Sequence, residues 1–199
     1  MAGNVKLEGD LGNRALEMLA EVTSVLEKFG VDYALDCGTL LGFVRENRIL
    51  PWDNDMDVCT SASEIKKLKK CALHLWFKGY RVRFARATYD YGPIKKGDPR
   101  ALKIRNRKGL LHRGDLLLDI FIKYPDGEGK MYLMVGAAEE SIVQSFCASH
   151  LEEKTLYRLG EQEYPIPADY DKYLTSRYGD WRTPVKDWDF HNDDQSRVS

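Results

Sequence analysis

The chain has 199 residues, and 43% of them are hydrophobic, which supports a real core and argues against wholesale disorder. Thirty lysines and arginines nearly cancel thirty-one aspartates and glutamates, a balance that points to neither a nucleic-acid partner nor a membrane-surface partner. No apolar run approaches the roughly 20 residues of a membrane span, the opening MAGNVKLEGD lacks the regions of a signal peptide, and the four cysteines form no CxxC pair, so reduced thiols, a cytoplasmic location and no membrane insertion are expected.

From Asp10 to Phe29, apolar residues recur at three-to-four spacing (Leu11, Ala15, Met18, Leu19, Val22, Val25, Leu26, Phe29), which predicts an amphipathic helix that stops at Gly30. Val31 to Asp36 reads as a short strand. After Gly38, the run Thr39 to Arg45 reads as a short helix whose N-terminus would offer Thr39 and free backbone N–H groups to an anion. Met56 to Thr60 is a predicted strand carrying Asp57. Ser61-Ala62-Ser63-Glu64 has the form of a capping box and opens a helix to about Lys78. Ile65, Leu68, Ala72, Leu75 and Trp76 form its expected buried face; Lys66, Lys67, Lys69 and Lys70 form a solvated one.

Tyr80 to Arg86 alternates as a strand with one basic face, and Tyr91 to Arg100 is a Gly/Pro loop. Ala101 to Arg105 is a further strand with Lys103 and Arg105 on one face. Leu116 to Lys123 is a near-continuous apolar strand interrupted by Asp119. A turn follows between Pro125 and Gly129. Glu139 to Leu151 is expected as a helix or a mixture of strand and helix, and Thr155 to Pro165 as loop with short strands. Ala168 to Arg177 is a short helix with Tyr170, Tyr173, Leu174 and Tyr178 inward. The polar stretch 191–199 reads as a loose tail after one domain over 1–190. Together these elements predict an α/β (α+β) fold with a mixed sheet flanked by helices.

Chemistry concentrates between Leu35 and Val58, in LDCGTLLGFVRENRILPWDNDMDV. Asp53, Asp55 and Asp57 alternate, and alternate residues of a strand share a face. Carboxylates set side by side repel unless a cation or shifted pKa values relieve them. Asp53 joins that face only if the strand runs back through Pro51-Trp52, which a proline disfavours. DNDMD resembles the start of an EF-hand loop but lacks the required Gly and closing Glu; a solvated acidic turn is the plain alternative. Asp119 is costly to bury unpaired. It either bonds a buried Arg or a backbone donor, or joins Asp55 and Asp57 in holding one or two Mg2+ ions, with Mn2+ a possible substitute.

The stretch from Gly38 to Val58 resembles the signature of the LicD family, whose relatives include the fukutin and fukutin-related proteins. The matching residues are Asp36, Gly38, Thr39, Leu40, Leu41, Gly42, Arg45, Pro51, Trp52, Asp53, Asp55 and Asp57. A later Asp119-Ile120-Phe121 agrees, as does a C-terminal set of Pro167, Asp169, Tyr170, Tyr173, Leu174, Tyr178, Gly179, Asp180 and Trp181, so the resemblance covers about residues 10–190. Leu50 stands where Ile or Phe is commoner, and Asn54 where many members have Asp.

The resemblance implies a nucleotidyltransferase-type fold. It implies Asp55 and Asp57 as a metal-binding pair, Asp119 as third acid and candidate base for the acceptor hydroxyl, and Asp53 as an assisting residue. It also implies transfer of a phospho-alcohol from a CDP-linked donor, such as CDP-choline or CDP-ribitol, to a glycan or lipid-linked sugar, with release of CMP. Two alternatives stand beside it: transfer of NMP from an NTP with release of pyrophosphate, and a non-catalytic nucleotide-binding module. Gly38 and Thr39 are candidates for phosphate contact, and Arg45, Lys103 and Arg105 for neutralising a diphosphate, although each is also a reasonable salt-bridge partner. Trp52 is a candidate for stacking on a base or on choline, or for core packing. His112 and His191 are candidates for proton transfer or for structural roles.

Overall fold

A mixed seven-stranded sheet carries the rest of the molecule in the computed structural model, which describes residues 5–109, 112–137, 140–185, 188–189 and 191–199. The elements run α1 (Asp10–Lys28), β1 (Tyr33–Leu35), α2 (Cys37–Glu46), β2 (Met56–Ser61), a 3-10 turn (Ala62–Glu64), α3 (Ile65–Phe77), β3 (Arg81–Arg86), β4 (Pro99–Lys108) and β5 (His112–Pro125). They continue with β6 (Lys130–Val135), β7 (Ile142–Cys147), α4 (Ser149–Glu152), β8 (Lys154–Leu159), β9 (Gln162–Pro167) and α5 (Tyr170–Tyr178). The strands order as β1-β2-β5-β4-β3, with β6 joined to the far end of β5 and β7 beyond it; β8 and β9 form a separate hairpin. β2 and β5 are parallel, and the other pairs are antiparallel.

Strand alternation gives this sheet two unlike faces. Met56, Val58, Leu102, Ile104, Leu118 and Ile120 are buried and share one core cluster with the apolar stripe of α1 (Ala15, Met18, Leu19, Val22, Val25, Leu26) and with Leu68, Cys71 and Leu75 of α3. Asp57, Cys59, Lys103, Asp119 and Phe121 lie on the opposite face. There Cys59 and Phe121 meet a small second cluster with Ala34, Met131, Ala148 and Leu151, while the aspartates stand further up the strands. β5 is apolar along most of its length because both its faces are covered.

Several sequence expectations change on contact with the tertiary structure. The capping box does not close. The Ser61 hydroxyl accepts from the Ser63 N–H at 3.4 Å, while Glu64 accepts from the Asp32 N–H and pairs with Lys67, so a 3-10 turn precedes α3. Trp76 is 51% exposed, and Cys71 takes the expected inward place. Of the segment expected from Glu139 to Leu151, Glu139 lies outside the described residues, and the rest takes the mixed form of the expectation, β7 followed by the single turn α4, rather than one helix. The segment 191–199 is docked rather than loose. Val198 and Ser196 exchange backbone hydrogen bonds with Val143 and Ser145 of β7 at 2.8–2.9 Å, and Asp194 is buried. The open edge of β7 supplies the unpaired N–H and C=O groups that this segment satisfies.

A buried ionic network ties β1, β5, α5 and this segment together. Asp36 caps α2 by accepting from the Cys37 N–H at 2.8 Å and is fully buried. Lys123 Nζ lies 3.0 Å from its Oδ2, Arg177 lies 3.9 Å from its Oδ1, and the Tyr173 hydroxyl donates to it. Arg177 also pairs with Asp194 at 3.1 Å, and Asp194 accepts from Gln144 Nε2 at 2.6 Å. Burial alone would push the Asp36 carboxyl up; Lys123, Arg177 and the Tyr173 hydroxyl overcome it and hold the pKa at about 2.

The folded pKa is therefore depressed below the usual 3.8, and the stability it contributes is present above about pH 4 and lost as pH falls toward 2. Asp36→Asn is expected to flatten that part of the stability–pH curve. Lys123→Met, which leaves a buried charge short of its nearest partner, is expected to cost about 3–5 kcal/mol. Urea unfolding between pH 2.5 and 7 measures both; an unchanged acid limb in Asp36→Asn would show that the network contributes nothing to acid stability.

Candidate active site

The parallel pairing of β2 with β5 places Asp57 directly opposite Asp119. Asp55 sits two residues before Asp57, in the bend that leads into β2. One carboxylate oxygen from each of Asp55, Asp57 and Asp119 lies within 4.8 Å of the others. Thr39, on the first turn of α2, fixes the middle of this arrangement: its hydroxyl accepts from the Asp57 N–H at 2.8 Å, and it is buried. The Asp36 N–H also donates to the Asp57 carbonyl, at 3.1 Å.

Asp53 reaches the site by another route. β2 begins at Met56, so Asp53 is not a strand residue; it lies in the turn after Pro51. Its N–H donates to the Leu50 carbonyl at 3.0 Å, and its Oδ1 accepts from the Asn54 N–H at 2.9 Å. Its Oδ2 then rests against the backbone of Gly38, where a Cβ would stand 2.0 Å away. A side chain here would force the Asp53 carboxylate to shift, so the glycine makes room for this approach. Beside it, Cys37 takes φ 47, a left-handed conformation that costs a non-glycine residue about 1 kcal/mol or more.

The four acids are poorly compensated. Burial raises the Asp53 carboxyl. Burial, with the charges of Asp53 and Asp119, pushes Asp55 up to about 7. Burial and then Asp55, Asp53 and Asp119 raise Asp57 well above its usual value. Lys103 forms an ion pair with Asp119 Oδ2, which leaves the buried Asp119 Oδ1 with no hydrogen-bond partner among the described residues. Three convergent carboxylates, one of them with an orphaned buried oxygen, fit a hard divalent cation such as Mg2+ or Mn2+.

The remaining candidates are placed as follows. Arg105 stands two residues from Lys103 on β4 and donates to the Gly114 carbonyl at 3.2 Å. Arg45, near the C-terminal end of α2, donates to the Trp181 carbonyl at 3.1 Å and pairs with Glu46 at 2.9 Å. Its guanidinium lies over the Trp52 ring, 5.9 Å from the centroid, and Trp52 packs half-buried against the main core. Neither side chain joins the acid cluster. His112 starts β5, roughly 23 Å along the strand from Asp119 at ~3.3 Å per residue. His191 lies in the segment docked on β7, with its N–H on Asp189.

Sequence reasoning did not assign the partners that hold the site from below, Lys123, Tyr173 and Arg177. One signal was available: Lys123 ends the apolar run of β5 at even spacing from Asp119, hence on the carboxylate face.

A protein family described as LicD/FKTN/FKRP, nucleotidyltransferase domain, matches residues 30–169. The chain belongs to this family. Among LicD/FKTN/FKRP relatives, the human "Ribitol-5-phosphate transferase FKTN" is 25% identical over 184 residues, covering 88% of this chain and 35% of that protein. The Haemophilus influenzae "Lipopolysaccharide cholinephosphotransferase LicD" is 22% identical over 209 residues, covering 89% of this chain and 77% of that one. The chain thus spans about a third of the length of the fukutin it matches. A solved structure, ANT(2")-Ia in complex with adenylyl-2"-tobramycin, aligns over 87% of this chain and 80% of that one at a TM-score of 0.44 and 14% identity. The mixed sheet flanked by helices is the nucleotidyltransferase-type fold that the family description names. Among the described residues no helix is long and apolar enough to cross a membrane.

Two outcomes follow from this geometry. Gly38→Ala is expected to cost about 1–3 kcal/mol by driving the new methyl into Asp53, and Asp53→Ala in the same chain should recover part of it, a coupling that a double-mutant cycle in urea reads directly. Strictly additive effects would place the Gly38 requirement elsewhere.

The second concerns pH. Asp55 and Asp57 hold protons in the metal-free fold that the unfolded chain has already released, so metal-free stability falls as pH rises from about 4 through 7. A divalent cation needs the ionised pair. The rise in Tm on adding Mn2+ should therefore be larger at pH 8 than at pH 6, and absent in Asp57→Asn.

Proposed function

We propose that this chain transfers a phospho-alcohol, phosphocholine or an alditol phosphate, from a CDP-linked donor to a hydroxyl of a glycan or lipid-linked sugar, releasing CMP. The observation that carries the reading is the convergence of Asp55, Asp57 and Asp119 within 4.8 Å, with Asp119 Oδ1 unpartnered among the described residues. Membership of a family with a ribitol-5-phosphate transferase and a cholinephosphotransferase among its named proteins supports it. The four free thiols, three of them buried, suit a reducing compartment, so we place the reaction on the cytoplasmic side.

Asp55, Asp57 and Asp119 would hold Mg2+ or Mn2+, which when bound would supply charge neutralisation at the donor diphosphate. Asp119 is the candidate base. The acceptor oxygen forms its bond to the donor's β-phosphorus as the acceptor proton passes to the Asp119 carboxylate; the bond from that phosphorus to the bridging oxygen breaks, and its electron pair leaves with CMP. Thr39 acts by positioning Asp57 through its backbone N–H. Gly38 admits Asp53, which adds negative charge beside Asp55. Lys103 and Arg105 lie on the same face of the sheet, where guanidinium and ammonium suit an anionic group of either substrate. Arg45 and Trp52 support the site's rim as a stacked pair.

The test is a product assay with CDP-choline, CDP-ribitol and plain NTPs, each with a panel of glycan acceptors and Mg2+. CMP release from a CDP-alcohol, with acceptor-dependent turnover that Asp57→Asn lowers by at least ~10^3-fold, is the expected result, since removing a ligand of the metal removes transition-state stabilisation. Pyrophosphate release from an NTP would replace this reading with nucleotidyl transfer. Binding of nucleotide with neither product would leave a binding module.

A further inference from the structure

The same face of the sheet changes sign away from the acids. Register pairs Asp57 with Asp119, Asp119 with Lys103, and Lys103 with Arg83, so one row crosses β2, β5, β4 and β3 from two carboxylates to two cations. The next pair on β3–β4 is Arg81 opposite Arg105. Like charges directly opposite each other on an antiparallel ladder are destabilising, yet this ladder carries two such pairs side by side. Asp119 compensates Lys103. The side chains of Arg81 and Arg83 are exposed and carry no hydrogen bond or ion pair among the described residues. Lone cations on an edge strand discourage edge-to-edge pairing, but that purpose does not call for cations facing them on the inner strand.

We propose that Arg81, Arg83, Lys103 and Arg105 form a second anion subsite, which takes a phosphate or diphosphate carried by the acceptor. This rests on the transferase reading above. The donor's diphosphate belongs at the acid cluster. With strands ~4.8 Å apart, the Arg83–Lys103 pair lies about 5–10 Å from Asp119. An acceptor whose hydroxyl faces Asp119 would then place an anionic group on the basic block about one sugar ring away. The substrate class is an anionic sugar: a sugar phosphate, or a sugar held through a diphosphate linkage.

The experiment uses the full chain in EDTA and low salt, where no metal can carry an anion to the aspartates. Inorganic pyrophosphate and glucose 6-phosphate are titrated separately by calorimetry; the tighter probe tells a diphosphate linkage from a monoester. Expected are binding by wild type, at least tenfold weaker binding by Arg81→Gln/Arg83→Gln at unchanged Tm, and undiminished binding by Asp57→Asn. Lys66→Gln/Lys70→Gln, which removes two exposed lysines of α3, should bind as wild type; an equal loss there would mean unspecific attraction and overturn the proposal. No loss in the arginine double variant would also overturn it.

CDP-choline with Mg2+ is titrated in a separate arm. A tenfold weakening of it by Arg81→Gln/Arg83→Gln would assign the basic block to the donor and sink the acceptor subsite. If wild type fails to bind CDP-choline at all, the donor reading fails by itself, while the EDTA titrations still decide whether the anion subsite exists.

Discussion

Four carboxylates gather with one ammonium paired to them among the described residues, that of Lys103, and the architecture around β2 and β5 holds them there. Two unit charges 4.8 Å apart repel by about 3 kcal/mol at an effective dielectric of ~20. Asp55, Asp57 and Asp119 form three such pairs, and Asp53 adds to them from the Gly38 turn. No local preference of the chain would assemble this cluster. It is imposed by the parallel register that sets Asp57 against Asp119, by the Thr39 hydroxyl on the Asp57 N–H, and by the absence of a Cβ at residue 38. Burial, and then this repulsion, raises the pKa values of Asp55 and Asp57, and that makes the site receptive to a cation.

One layer below, the same problem is solved in the opposite way. Asp36 is buried completely but meets Lys123, Arg177 and the Tyr173 hydroxyl, and its carboxyl is held low. The two centres touch through the backbone, because the Asp36 N–H donates to the Asp57 carbonyl. A network in which buried charges are paired is stiff, since removing one partner strands another charge. An unsatisfied cluster needs such stiffness beneath it, or its members would drift apart to relieve their repulsion. Arg177 extends the brace through Asp194 to the C-terminal segment, which is why that polar stretch is ordered against β7.

Local patterns in the sequence carried the faces but not the partners. The spacing of Asp55 and Asp57 was enough to suggest that their carboxylates meet, although Asp55 stands in the bend before β2, and an acid within LLLDIFI was enough to mark Asp119 as needing company. What periodicity cannot encode is register across strands far apart in the chain, so neither the Asp57–Asp119 pairing nor the Lys103 contact was readable. Asp53 lies outside β2 because Pro51 and Trp52 form a turn, and its approach through Gly38 is a tertiary fact. Arg45 shows the same limit. Its place in the motif suggests phosphate, whereas its guanidinium is taken up by the Trp181 carbonyl and Glu46, residues whose position only the fold reveals. β6 and the docked C-terminal segment escaped, and β7 was left open between strand and helix, because pairing decides them: 130–135 and 142–147 become strands by bonding to each other, and 130–135 also bonds to the end of β5.

Lys103 is the residue on which the two halves of the sheet face balance. Bonded to Asp119 Oδ2, it lowers the charge of the cluster without occupying Oδ1, the oxygen left free. With all four carboxylates ionised, an excess of three negative charges remains after this pair. A divalent cation removes two of them, and the last is small enough for a polar, partly solvated site to carry. A monovalent ion would leave twice as much. The same arithmetic explains why an added lysine is no substitute for the metal: an ammonium delivers one charge, on a flexible stem that must be desolvated to reach the carboxylates. The acid cluster is therefore matched to a small, doubly charged ion by charge count as well as by its oxygen ligands, and Arg81 and Arg83 of β3 can face outward without being drawn into the pairing.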